Sequence, residues 1–350
     1  MAAVRGRPAA GLLVLLVAVA GCGWFDAPPP VSAYGLAYSS GRHFAVTGPW
    51  VRLVYASGKE FDEAKLWELV SWDGIHWWRH RIATPKNLHV VSSVWVDQGR
   101  RLIAATAYRG TRLFIAGGVW PRAIRKFHDP FSAQAPNGSP EGIVFRSVLT
   151  GDRMRLWVRW PDGRIERVTT DAEEAETAAG TSGQLHRVAG RSVVLWSAAR
   201  ALRASWRTAA GWVSEVVDPE FSGVHDVSAV VVDDALWVAY LAGPGMLTVR
   251  HWTAREGWSD PHALGPSELH ATCLWPDGRH LYAIQVAQNP RRLRVWRFDH
   301  EWQAMAQEVP VAPGSYLWAC GTSFRRRQVL AWVENAGDHP VMRTAVVWGT

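Results

Sequence analysis

Along most of the chain, short runs of alternating apolar and polar residues are broken by Gly, Pro, Asp or Asn. This period-two pattern predicts β-strands joined by tight turns. Segments beginning at Leu88, Leu185, Val224 and Leu269 can be aligned. Each has an apolar residue, a histidine, a run of small and apolar residues, a turn, and a second strongly apolar run. Third strands follow, often bearing Trp, as in "ALRASWRT" and "MLTVRHWT", and several continue through a turn into a fourth. His186 and His225 are 39 residues apart, His225 and His270 are 45, and His89 and His186 are 97, the span of two repeats. The intervening copy falls at Glu141–Gly163, and further copies start near Ala33 and Tyr316.

Four short antiparallel strands repeated about every 45 residues are the pattern of a β-propeller. The expected fold is all-β, with seven four-stranded blades and six as the alternative. A β-sandwich pair would need no such period. The last copy shows only three strands, so the N-terminal segment following residue 32 is a candidate for the missing one. "DAEEAETAAG" (171–180) has helical composition and reads as a charged insertion.

The leader changes the picture next. Arg5 and Arg7 precede the apolar run Leu12–Ala20, which is far shorter than the roughly 20 residues that span a bilayer and has the layout of an export signal. "VAGC" (19–22) resembles the lipobox of bacterial lipoproteins. That resemblance implies cleavage before Cys22 and acylation of it, stable membrane anchoring, and weakly favours the outer membrane because Asp does not follow Cys22. The expected organisation is residues 1–21 as signal peptide, 22–32 as lipidated cysteine and Pro-rich tether, and 33–350 as the propeller.

The net charge of +7 raises a nucleic-acid reading. The arginines, however, are scattered through alternating strands apart from Arg325–Arg327, so solvated surface explains them and no nucleic-acid partner is expected. Three cysteines make neither a disulfide framework nor a zinc site. No phosphate loop, Ser-His-Asp order or His-Glu-x-x-His is present, and no cofactor or metal is expected. Cys273 and Cys320 occupy matching places in consecutive inner strands. Oxidising conditions would permit a bridge, the divergence of inner strands opposes one, and both states stay open.

"SWDGIHWW" (71–78) resembles the Asp-box of sialidase-like propellers, with Ser71, Asp73 and Trp78 in place and the glycine one position early at Gly74. The resemblance implies a structural turn away from catalysis, in which Asp73 accepts backbone N–H bonds, Gly74 supplies an unusual φ and Trp78 packs between sheets. It also raises a sialidase-like glycoside hydrolase as an alternative function. The Arg-Ile-Pro motif of that family is missing; Arg42 and Arg52 are the nearest early arginines, and nothing assigns Tyr240, Tyr282 or Tyr316 a nucleophile's role.

His89, His186, His225 and His270, with Glu141 in the copy lacking histidine, are placed at the entry to inner strands, around one mouth of the channel. They could form a polar, pH-sensitive ring or bind a ligand, or each imidazole could bond a neighbouring carbonyl. The expected function is a monomeric, lipid-anchored envelope module binding a protein or glycan without catalysis. A scaffold in an outer-membrane assembly complex is the remaining alternative.

Overall fold

The computed structural model describes residues 36, 42–57, 65–82, 92–106, 112–117, 122–128, 133–149, 153–177, 182–221, 227–268, 272–312, 318–336 and 339–348. They form seven consecutive antiparallel sheets. The inner strands are Phe44–Thr47, Ser92–Asp97, Ala133–Ser139, Gly183–Val188, Ser228–Val232, Leu274–Pro276 and Ala319–Phe324. Each contacts the next, and the last contacts the first, closing a ring. The architecture is an all-β propeller. Sheets 1 to 6 carry four or more strands; in sheets 5 and 6 the outer strand is broken in two. Sheet 7 has three strands, Ala319–Phe324, Arg327–Ala336 and His339–Trp348, which corrects the expectation of seven four-stranded blades.

Alternation explains why the sheets pack radially. Successive side chains point to opposite faces, and both faces of each sheet meet a neighbour. Val54, Leu66, Val94 and Ile103 fill the space between sheets 1 and 2. Val193, Leu195, Val238 and Tyr240 do so between sheets 4 and 5. One larger cluster runs from Trp275 and Ile284 of sheet 6 through Leu330 and Trp332 of sheet 7 to Leu53 and Tyr55 of sheet 1, and takes in Leu36.

Each first-to-second and third-to-fourth connection emerges on the same side of the ring, here termed the hairpin face. Residues 171–174 form one helical turn with a Thr170 capping box, where a charged insertion was expected. Its Glu174 is buried and held by Arg155 and Arg167, so the acidic run serves packing.

Candidate functional site

Arg42 precedes the inner strand of sheet 1, yet its guanidinium reaches sheets that are not its neighbours. Nη1 donates to Asn137 Oδ1 (3.1 Å) and to the Gly138 carbonyl (2.8 Å) in sheet 3. Nη2 lies 3.1 Å from His186 Nε2 in sheet 4. In a closed ring, a side chain joining sheet 1 to sheets 3 and 4 crosses the central channel. Burial lowers the Arg42 pKa to about 10, and the group stays charged at neutral pH. A guanidinium only donates, so His186 Nε2 accepts and its imidazole is neutral. Burial first, then the Arg42 charge, pushes His186 well below the ordinary histidine range. Gln184 Oε1 lies 3.2 Å from the same Nε2, an acceptor beside an acceptor, and takes its own hydrogen bond from Ala229 N. The adjacent His43 donates through Nδ1 to the Val54 carbonyl at 3.0 Å, and burial lowers its pKa to about 4 against the raising effect of backbone bonds.

His186 was expected at the entry of an inner strand, at one mouth of the channel. It is instead the fourth residue of Gly183–Val188 and faces side chains. Glu141 was expected at the same level. It lies in the turn between Ala133–Ser139 and Gly142–Val148, on the hairpin face, because the sequence copy beginning there is the second strand of sheet 3. His89, His225, His270 and Cys22 lie outside the described residues. The cross-channel role of Arg42 had no signal in spacing, since its partners are 95 to 144 residues away.

Neighbouring inner strands are stitched by a recurring bond. Ser93 Oγ accepts from Gly138 N (2.9 Å), Gln184 Oε1 from Ala229 N (2.7 Å), and Ser228 Oγ from Leu274 N (2.9 Å). Cys273 Sγ accepts from Gly321 N at 3.2 Å. Cys273 and Cys320 are both free and buried, so the bridge between them is not formed; Cys273 takes the place of a serine at an inter-sheet junction. Burial pushes its thiol up to about 12.

The turn at residues 72–77 joins the third and fourth strands of sheet 1. Asp73 Oδ1 accepts from Ile75 N and His76 N, both at 2.8 Å, and Ser71 Oγ donates to it at 2.9 Å. His76 Nδ1 lies 2.6 Å from Oδ2. Partial burial opposes ionisation, but these bonds, led by that from His76, hold the Asp73 carboxyl well below its usual range. Gly74 has φ +81°, and a Cβ there would lie 2.9 Å from Val329 of sheet 7. Trp77, and not Trp78, packs against sheet 7; Trp78 meets Trp50 edge-on at 5.7 Å. Asp277–His280 repeats the same bonding between the first two strands of sheet 6, with Oδ1 accepting from Arg279 N (2.8 Å) and His280 N (2.7 Å).

Arg52 and two of the tyrosines weighed for a hydrolase are engaged by other side chains. Arg52 pairs with the fully buried Glu68, which also meets Arg101 and, at 2.7 Å, His80. The Tyr240 and Tyr282 hydroxyls donate to Asp218 and Asp277. Burial first and then those carboxylates raise both phenols above the ordinary tyrosine range, opposite to what a nucleophile needs. Tyr316 lies outside the described residues. No group of three metal-ligating side chains is present among the described residues.

No model of a known protein family matches the chain, and no curated protein matches it. Solved structures do. The BP39L lectin from Burkholderia pseudomallei shares 16% identity at a TM-score of 0.55, over 89% of this chain and 96% of that one. A lectin from Aleuria aurantia, crystallised with Fucalpha1-6GlcNAc, shares 14% at 0.48 over 76% and 94%. TolB from Acinetobacter baumannii shares 13% at 0.47 over 76% and 64%. The first of these likenesses shows the shared propeller fold.

Proposed function

We propose that the protein is a lipid-anchored, non-catalytic binding module of the cell envelope, acting as a monomer, whose ligand is a glycan. The observation that carries this reading is the exposure of indole rings on one face of a rigid ring, Trp72 at 45% and Trp348 at 54%. Flat aromatic faces bind the C–H faces of sugars and lose little conformational freedom in doing so. The likeness of the whole ring to a lectin supports the same direction. The non-catalytic part is supported by the axis, where Arg42 is held by an amide, a carbonyl and an imidazole, and by the two tyrosines locked onto aspartates. The lipobox-like "VAGC" supports acylation at Cys22.

The test is a glycan array probed with the full-length protein in detergent micelles, with mass spectrometry of its N-terminus. The reading expects sugar-dependent binding without turnover, and an N-terminal peptide beginning at an acylated Cys22. Absence of binding to any glycan, or release of free sugar, would overturn it.

A further inference from the structure

Among the described residues six large hydrophobic side chains are exposed, and four of them (Val46, Trp72, Ile75 and Trp348) belong to sheets 1 and 7. Their positions converge. Trp72 and Ile75 sit in the sheet 1 turn on the hairpin face. Trp348 pairs with Arg327, the first residue after the inner hairpin of sheet 7, and so lies on that face too. Gly74 places the sheet 1 turn against Val329 and Val346, a facing pair of sheet 7. Arg327 and Trp348 are the next pair on the same side of the sheet, about 7 Å nearer the hairpin end.

Charge is added to this aromatic sector. Arg325 and Arg326 are the exposed turn residues, and the Arg327 guanidinium stacks 4.0 Å from the Trp348 ring centre. A guanidinium stacked by its face keeps its in-plane N–H donors free for a carboxylate. The carboxylate described in the adjoining turn, Asp73, is turned onto that turn's own N–H groups. Arg325 and Arg326 also hold left-handed backbone, φ +50° and +62°, where glycine or asparagine is favoured. The equivalent hairpins of sheets 2 and 4 place Gly99 and Gly190 there.

Resting on the glycan-binding reading above, we infer that the hairpin face of sheets 7 and 1 is the binding surface, and that its ligand is an acidic glycan bearing carboxylates. Indoles stack on the sugar rings while Arg325, Arg326 and Arg327 take the carboxylates. An anionic bilayer would meet the same charge. However, the chain enters the ring at Arg42–Phe44, at the end of the inner strand opposite its hairpin, so the hairpin face is the side of the ring away from the point where the leader joins it.

The experiment measures binding of the full-length protein in micelles to polygalacturonate and to neutral dextran. Three variants are compared: Arg325→Asn with Arg326→Gly, Trp348→Ala, and a control, Asp233→Asn with Asp234→Gly. The control alters the matching hairpin of sheet 5, whose φ values are +49° and +57°. The arginine variant installs residues that favour this turn, so a loss of binding is not a loss of fold. Polygalacturonate affinity should fall at least tenfold in the arginine variant and about tenfold in Trp348→Ala, and should weaken with salt. It should be unchanged in the control. Equal binding of dextran, or an arginine variant that binds polygalacturonate normally, overturns the surface while array-detected glycan binding leaves the broader reading standing. Arginine-dependent binding to phosphatidylglycerol vesicles or DNA in place of polygalacturonate also overturns it. A protein that binds no glycan at all overturns both.

Discussion

The junction between sheets 2 and 3 and that between sheets 6 and 7 are built from the same parts with one atom changed. In the first, Ser93 Oγ accepts from Gly138 N, and Trp95, two residues on, lies over Gly138. In the second, Cys273 Sγ accepts from Gly321 N, and Trp275 lies over Gly321. The glycine is needed in both because an indole occupies the place of its Cβ. The acceptor is freer to vary. A hydroxyl sits at 2.9 Å and a thiol at 3.2 Å, as the larger and softer sulfur requires. The thiol junction adjoins the largest apolar cluster among the described residues, where a weak acceptor with little polar surface costs less to bury. Shape is therefore held tightly at these junctions, and polarity follows the local surroundings.

The largest effects should come from the glycines. Gly138→Ala would bring a Cβ to 2.1 Å from the Trp95 ring, and Gly321→Ala to 2.6 Å from that of Trp275. Each should destabilise by about 3 kcal/mol, with Gly138→Ala the worse, in urea denaturation of the full-length protein. If Gly321→Ala alone were silent, the two junctions would not share a rule.

Acid should act on the channel side of the ring, where His43 and His186 are buried neutral. The unfolded chain binds protons at these groups below about pH 6.5, whereas the fold resists doing so. Stability is thus complete near pH 7 and declines as pH falls, by at most about 1.4 kcal/mol per pH unit for each imidazole. His43 alone accounts for about 3 kcal/mol by pH 4, where it titrates in the fold. A denaturation midpoint flat from pH 7 to 4 would contradict the placement of both rings, and His186→Gln should shallow the slope.

The acceptors themselves should matter less. Ser93→Ala leaves the buried Gly138 N–H without its bond and should cost about 2 kcal/mol. Cys273→Ala should cost about 1 kcal/mol, because sulfur is the weaker acceptor, and Cys273→Ser less than either. The reverse order in thermal melts would show that the thiol is the stronger stitch. The smallest effect is kinetic: buried Cys273, with a pKa near 12, should resist iodoacetamide at pH 8 until urea unfolds the chain.

Short-range regularities were legible in the sequence. Strand alternation, the repeat and the Asp73 turn rest on contacts within a few residues or within one hairpin, and the sheets follow one another as the repeats do. Sheet 3 shows where that reading slips: without a histidine to mark it, the copy at Glu141 was set one strand late, and Glu141 moved from the channel to the hairpin face. The Asp-box likeness pointed to Trp78 as the residue packed between sheets; Trp77, one residue earlier at the end of the turn, is the one covered, and only the approach of sheet 7 decides that.

The sequence by itself determined an all-β repeat with its turns, since those depend on local hydrogen bonding, on φ preferences and on period-two burial. Only the tertiary structure decided that Arg42 crosses the channel to His186, that Cys273 replaces a serine without forming a bridge, and that the aromatic residues of sheet 1 and the arginines of sheet 7 share one surface. Ring closure brings together residues hundreds of positions apart, and no periodicity along the chain records which of them will meet.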